Sequence, residues 1–174
     1  TAQCIGAARR GWSVSFRSTA GGGDGGSGGD PTDPLVRTVG SGGIEYFNPV
    51  GSMPQQSAAP FSRAVRAGGL VYVSGTGTGS DAAGKAREGT AAEETRWALE
   101  CVRAILEETG SGVDRILSVT CLIKDQAEYA EINAAYVQVF TEWKCLLPAR
   151  HTTVGFAGGV GKVGFGCIAL VNEE

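Results

Sequence analysis

A single histidine, His151, leaves no pair within the chain to share acid–base work or to seed a metal cluster. Cysteines are scattered: Cys4, Cys101, Cys121, Cys145 and Cys167 are odd in number and form no CxxC pair. That argues against a disulfide framework or zinc site and fits a reducing, intracellular compartment. No run approaches the ~20 apolar residues that a membrane-spanning helix needs. Positive charge is not in excess either. Fifteen lysines and arginines face 18 acidic residues, so a net charge of −3 offers no global attraction to nucleic acid or anionic lipid.

What is present is enough for a real core, with 42% apolar residues in 174. The simplest division is an extension over residues 1–51 and one domain over 52–174. The tract from Gly21 to Gly29 is glycine except at Asp24 and Ser27, which reads as a flexible linker unless a partner orders it. Before it, residues 1–20 carry Arg9, Arg10, Arg17 and several serines but no acid. That composition resembles the end of an organellar transit peptide, and the absence of an initiator methionine suits a processed or truncated form. Import into a mitochondrion or other organelle is therefore expected, with an ordinary disordered tail and a cytoplasmic protein as the alternative.

Ile44-Glu45-Tyr46-Phe47 reads as an edge strand stopped by Asn48-Pro49. Phe61–Ala67 and Leu70–Ser74 read as a hairpin around Gly68-Gly69. Thr90-Ala91-Ala92-Glu93 has capping-box spacing and starts a helix. Ala98, Cys101, Val102 and Ile105 form its apolar stripe, and Gly110 stops it. Arg115–Lys124 is a strand. Asp125-Gln126-Ala127-Glu128 opens a second helix whose buried face carries Tyr129, Ile132, Tyr136, Val139 and Trp143. Strands over residues 151–157 and 163–171 close the chain. The order β-β-α-β-α-β-β predicts an α+β domain with two helices on one face of a mixed or antiparallel sheet.

Two nucleotide-site patterns fail on inspection, so no cofactor is expected. Gly75-Thr76-Gly77-Thr78-Gly79 follows a strand but does not open directly into a helix, as a dinucleotide loop must. Gly79–Ala86 keeps GxxxxGK, yet Ala86 stands where a hydroxyl must hold magnesium, and Asp81 would place negative charge beside the phosphates. A solvated loop is the better reading.

The chemistry concentrates in Leu147-Pro148-Ala149-Arg150-His151-Thr152-Thr153-Val154. Pro148 stiffens the approach to a β-branched strand, so Arg150 is delivered in a fixed place. Its planar fork of donors suits a carboxylate or phosphate. A structural ion pair or a subunit contact is the other reading. Thr152 shares the face of Arg150 by strand alternation, and His151 takes the opposite face.

From residue 58 onward the chain resembles the Rid/YjgF family, the reactive intermediate deaminases once labelled L-PSP endoribonucleases. The resemblance rests on Ala59-Pro60-Phe61-Ser62-Arg63-Ala64-Val65, Val71-Tyr72-Val73-Ser74-Gly75, the helix from Glu93, Ile132-Asn133-Ala134-Ala135-Tyr136, Pro148-Ala149-Arg150 and the closing strand over 162–170. It implies a chorismate-mutase-like subunit in a homotrimer with clefts between subunits. There an arginine, matched by Arg150, grips the carboxylate of a 2-imino acid. A last-strand glutamate positions the water that releases a 2-keto acid and ammonia. The ligand-binding residues expected on this reading are Arg150, Phe61, Ser74, Gly75, Thr76, Asn133 and Thr152, with no metal. Ser74, Thr76 and Asn133 read equally well as turn, loop and helix-surface residues.

The chain departs from the pattern at three places. Gly164 and Gly166 stand where active members carry glutamates, Phe61 replaces a tyrosine, and Thr76 replaces a glutamine. A positioned acid or base supplies ~10²–10⁴ in rate. The expectation is thus a binder of small 2-imino or 2-keto acids with weak or absent imine hydrolase (deaminase) activity. The alternative is a non-catalytic structural subunit of a larger organellar assembly, docked through the surface of the trimer and the glycine-rich arm in residues 1–51. An endoribonuclease has the least support, the chain being acidic with a single histidine.

Overall fold

The computed structural model describes residues 33–51, 60–81, 84–155 and 161–172. The elements run β1 (Leu35–Val39), β2 (Glu45–Pro49), β3 (Ala64–Ala67), β4 (Leu70–Thr76), α1 (Ala91–Glu108), β5 (Ile116–Ile123), α2 (Tyr129–Glu142), β6 (Ala149–Val154) and β7 (Val163–Leu170). The stretch 1–20, the glycine tract 21–29 and residues 156–157 of the strand expected over 151–157 lie outside the described residues, as do residues 82–83 of the loop resembling a P-loop.

The strands form one seven-stranded sheet in the order β1-β2-β3-β4-β7-β5-β6. Every neighbouring pair is antiparallel except β5 and β6, which run parallel, so the sheet is mixed. The last strand in the chain, β7, is inserted between β4 and β5 at the centre. This explains why Val163–Cys167 is buried without interruption.

Local chemistry accounts for most boundaries. Gly68 and Gly69 take φ of 58° and 77°, the positive values that a two-residue turn needs between β3 and β4. At the start of α1 the Thr90 hydroxyl accepts from Glu93 N at 3.2 Å, and Thr90 N donates back to the Glu93 carboxylate at 2.9 Å. The helix ends in a Schellman turn at Gly110, with Ser111 N donating to the Leu106 carbonyl at 2.8 Å. Helix α2 ends the same way, but with Lys144 at φ 58° in the place a glycine usually takes. Asp125 caps a single 3₁₀ turn through Ala127 N at 2.9 Å, and α2 begins only after it.

Both helices cover one face of the sheet. Val71 and Val73 of β4, Val119, Cys121 and Ile123 of β5, and Val163, Phe165, Cys167 and Ala169 of β7 join Leu99, Val102, Leu106, Ile132, Val139 and Phe140 in one core. Glu94, in the first turn of α1, is also buried. Its carboxylate accepts from Gly89 N at 3.1 Å and Lys162 N at 2.5 Å, which ties the start of β7 to the helix. The opposite face carries no helix among the described residues. Tyr72 and Leu170 stay substantially exposed there, and a depression of about 270 Å³ is lined by Tyr72, Gly75, Ser118, Thr120, Leu122 and Gly166.

Two expectations need correction. The segment around Ile44–Phe47 is not an edge strand. Leu35–Val39 pairs with it on the outer side, so the sheet takes in residues 35–49 of the expected extension. Tyr129 is not on the buried face of α2. It is 38% exposed, and Ala135 and Phe140 are buried instead.

Candidate functional site

Strand β6 forms the edge of the sheet beside β5, and its register places Arg150 against Val119 and Thr152 against Cys121. Both partners belong to the core, so Arg150 and Thr152 rise on the helix-covered side. His151 pairs with Thr120, which lines the depression on the opposite face. The alternation expected of the strand is what the structure has.

Helix α2 receives the arginine. Tyr129, Asn133 and Tyr136 recur at helical spacing and line the side of α2 that meets β6. Nη2 of Arg150 donates to Asn133 Oδ1 at 2.6 Å and reaches the Tyr129 hydroxyl at a long 3.5 Å. Its guanidinium carbon lies 4.6 Å from the centroid of the Tyr136 ring, a cation–π contact worth about 0.5–2 kcal/mol. No acidic side chain among the described residues lies within ion-pair distance of Arg150. Nε and Nη1 likewise have no hydrogen-bond partner among the described residues. The structure therefore fixes this half-buried cation from behind and leaves its outer donors available for an anion.

The groups around it are quiet acid–base partners. Burial pushes the Tyr136 hydroxyl up to about 12, against the pull of Arg150. That hydroxyl is also buried without a hydrogen-bond partner among the described residues. Burial raises the Cys121 thiol too, although Arg150 and a hydrogen bond with Thr152 pull the other way. A thiol held up like this is no nucleophile near neutral pH.

The remaining expected residues lie elsewhere in the subunit. Strand β4 stands three strand spacings from β6, roughly 14 Å across the sheet. Ser74 donates from its hydroxyl to the Ser62 carbonyl at 2.7 Å, and Thr76 is buried with its hydroxyl on the Ser74 carbonyl at 2.9 Å. Both hydroxyls thus serve the loop in this subunit. Phe61 is 53% exposed, and Gly75 opens onto the bare face against Leu122. Gly164 and Gly166, on alternate positions from the core-facing residues of β7, also belong to the bare face. A Cβ on Gly166 would sit 3.1 Å from the Val73 carbonyl oxygen, where β4 bulges between Val73 and Thr76. A Cβ on Gly164 would make only ordinary contact, 3.4 Å from the Thr76 carbonyl.

The single chain therefore places Arg150 on Asn133, with Thr152 on the same face of β6, and does not bring Phe61, Ser74, Gly75 and Thr76 to them. Sequence reasoning missed Tyr129 and the supporting role of Tyr136. Their spacing with Asn133 was the available signal, since three residues on one side of a helix meet one neighbour.

Comparison with known proteins agrees with this architecture. The family described as Endoribonuclease L-PSP matches residues 52–158. The mitochondrial protein mmf1 of Schizosaccharomyces pombe is 32% identical over 126 residues, covering 70% of this chain and 75% of its own length. The crystal structure of the YjgF gene product of E. coli superposes with a TM-score of 0.60 at 28% identity, covering 66% of this chain and 90% of that one. E. coli TdcF, solved with bound serine, gives 0.61 at 25% identity, covering 70% and 97%. With its seven-stranded mixed sheet, its two helices and this sequence match, the chain belongs to the Rid/YjgF family of L-PSP endoribonuclease-like proteins.

Proposed function

We propose that the protein is a homotrimer that binds small carboxylates of the 2-imino or 2-keto acid class in clefts between subunits, with weak or absent imine hydrolysis. The observation that carries this is Arg150: an arginine braced by Asn133 and Tyr136 on an edge strand, with no counter-charge from a described residue. Support for a shared site comes from the separation of Arg150 from Phe61 and Gly75 within one subunit, since a second copy is needed to bring such halves together. The serine in the TdcF structure is itself a small carboxylate.

Imine hydrolysis adds water across C=N and expels ammonia, which needs a group to take a proton from water and deliver one to nitrogen. Gly164 and Gly166 supply neither, the Tyr136 hydroxyl is held too high, and His151 faces away. Binding survives in this reading and chemistry suffers. The test has two parts: the solution mass of the purified protein, and ammonia release from an enzymatically generated 2-iminobutyrate. A trimer with little or no release supports the proposal; a monomer, or rapid release abolished by Arg150→Ala, contradicts one half of it.

A mitochondrial location belongs to the same proposal, supported by the arginine-bearing stretch 1–20 and by the mitochondrial relative from fission yeast. Microscopy of the tagged full-length protein tests it, and a diffuse cytosolic signal would end it. A second reading, a non-catalytic subunit of a larger organellar assembly, gains from glycine at both glutamate positions. Co-migration of the endogenous protein with a large particle on gel filtration would favour it over a free trimer. RNA cleavage has less support: the net charge is −3, and the lone histidine and Arg150 point to opposite faces.

A further inference from the structure

We infer that Tyr129 is a specificity-determining residue of the Arg150 site: its hydroxyl hydrogen-bonds the polar substituent on the carbon next to a bound carboxylate. The inference rests on the carboxylate-binding reading above and asks which carboxylates the site prefers. Tyr129 opens α2 beside Arg150 of the edge strand, is 38% exposed and stands outside the core cluster. A phenylalanine would pack as well there, so the hydroxyl is not needed for the fold.

Nor is the hydroxyl used up within the subunit. Nη2 of Arg150 is committed to Asn133 at 2.6 Å, and its approach to Tyr129 at 3.5 Å is at the limit of a hydrogen bond. The phenol is left with a donor and an accepting lone pair at the rim of the guanidinium. A carboxylate seated on the outer donors of Arg150 brings its carbon-2 substituent one bond further out, within hydrogen-bond length of a group in this position. A keto oxygen would accept from the phenol, and a protonated imine nitrogen would donate to it. An unsubstituted fatty acid could do neither.

The experiment is a titration of the full-length protein with 2-ketobutyrate and with butyrate, comparing wild type, Tyr129→Phe and Arg150→Ala. Tyr129→Phe is expected to weaken 2-ketobutyrate about 3- to 10-fold and leave butyrate unchanged, so the preference for the keto acid shrinks. Arg150→Ala should weaken both acids at least about 10-fold. If Arg150→Ala weakens both while Tyr129→Phe leaves the preference intact, the role of Tyr129 is overturned and carboxylate binding stands. If Arg150→Ala changes neither affinity, the carboxylate site itself falls, and Tyr129 with it.

Discussion

Two arginines in this molecule stand over aromatic rings and meet different ends. Arg66 on β3 lies 5.9 Å from the centroid of Phe47, and its Nε hydrogen-bonds the Glu45 carboxylate. Glu45 also receives Arg37 at 2.6 Å, and Arg66 Nη1 donates to the Thr109 carbonyl at 3.3 Å. Charge, donors and acceptor are closed among themselves. Arg150 on β6 has a closer ring, 4.6 Å away, and a shorter neutral hydrogen bond, but no carboxylate among the described residues. The first arrangement ties β2, β3 and the end of α1 together. The second holds a cation in place and leaves its counter-charge to be supplied from outside. The same side chain is a tie in one place and, in the function proposed here, a receptor in the other, and the counter-ion makes the difference.

Supplying the missing carboxylate should have the largest effect. Gly164 has room for a Cβ, whereas Gly166 is pressed by the Val73 carbonyl, so Gly164→Glu is the substitution the sheet tolerates. In the intersubunit site proposed here it should raise ammonia release from 2-iminobutyrate by about 100-fold or more, within the range of a positioned acid or base. The gain should vanish when Arg150→Ala is added. No gain in a correctly folded variant would mean that β7 of one subunit does not face Arg150 of another.

Next in size is the contrast in stability. Removing Arg66 leaves Glu45, only 14% exposed, with Arg37 alone and takes away the Thr109 bond, and should cost about 2 kcal/mol in denaturant unfolding. Arg150→Ala loses the Asn133 bond and the Tyr136 ring contact but leaves no described carboxylate unpaired, and should cost less, about 1 kcal/mol. Equal losses at the two positions would erase the distinction between tie and receptor.

The smallest effect is a pH dependence of that tie. Hydrogen bonding from Arg66 holds the Glu45 carboxyl below its ordinary value, against an upward push from burial. With the folded pKa below the unfolded one, the stabilisation is complete above the unfolded value and is lost as pH falls through the folded value. The stability gap between wild type and Arg66→Ala should therefore narrow as pH falls below the ordinary glutamate range. A gap independent of pH would remove Glu45 from the account.

Much of this was legible because local chemistry decided it. Gly68-Gly69, the Thr90–Glu93 box and the stripe through Ala98 and Ile105 each state their own structure. The placement of β1 was not, because Leu35–Val39 is an ordinary strand sequence beside a glycine-rich tract and acquires its role only by pairing with β2. The parallel pairing of β5 and β6 and the central insertion of β7 are long-range choices of the same kind. At the site, Arg150 and its face could be read from Pro148 and strand alternation. Tyr129 could not. Helical periodicity put it in line with Ile132 and Tyr136, but in the first turn of α2 it stays 38% exposed beside Arg150. Glu94 was hidden for a similar reason: a glutamate in a first turn looks solvent-facing until Lys162 and Gly89 close over it.

The most direct test is a calorimetric titration of the assembled full-length protein with 2-ketobutyrate, wild type against Arg150→Ala. The account predicts saturable binding to wild type, one site per subunit, weakened at least about 10-fold in the variant. Equal affinity in the two proteins would contradict it.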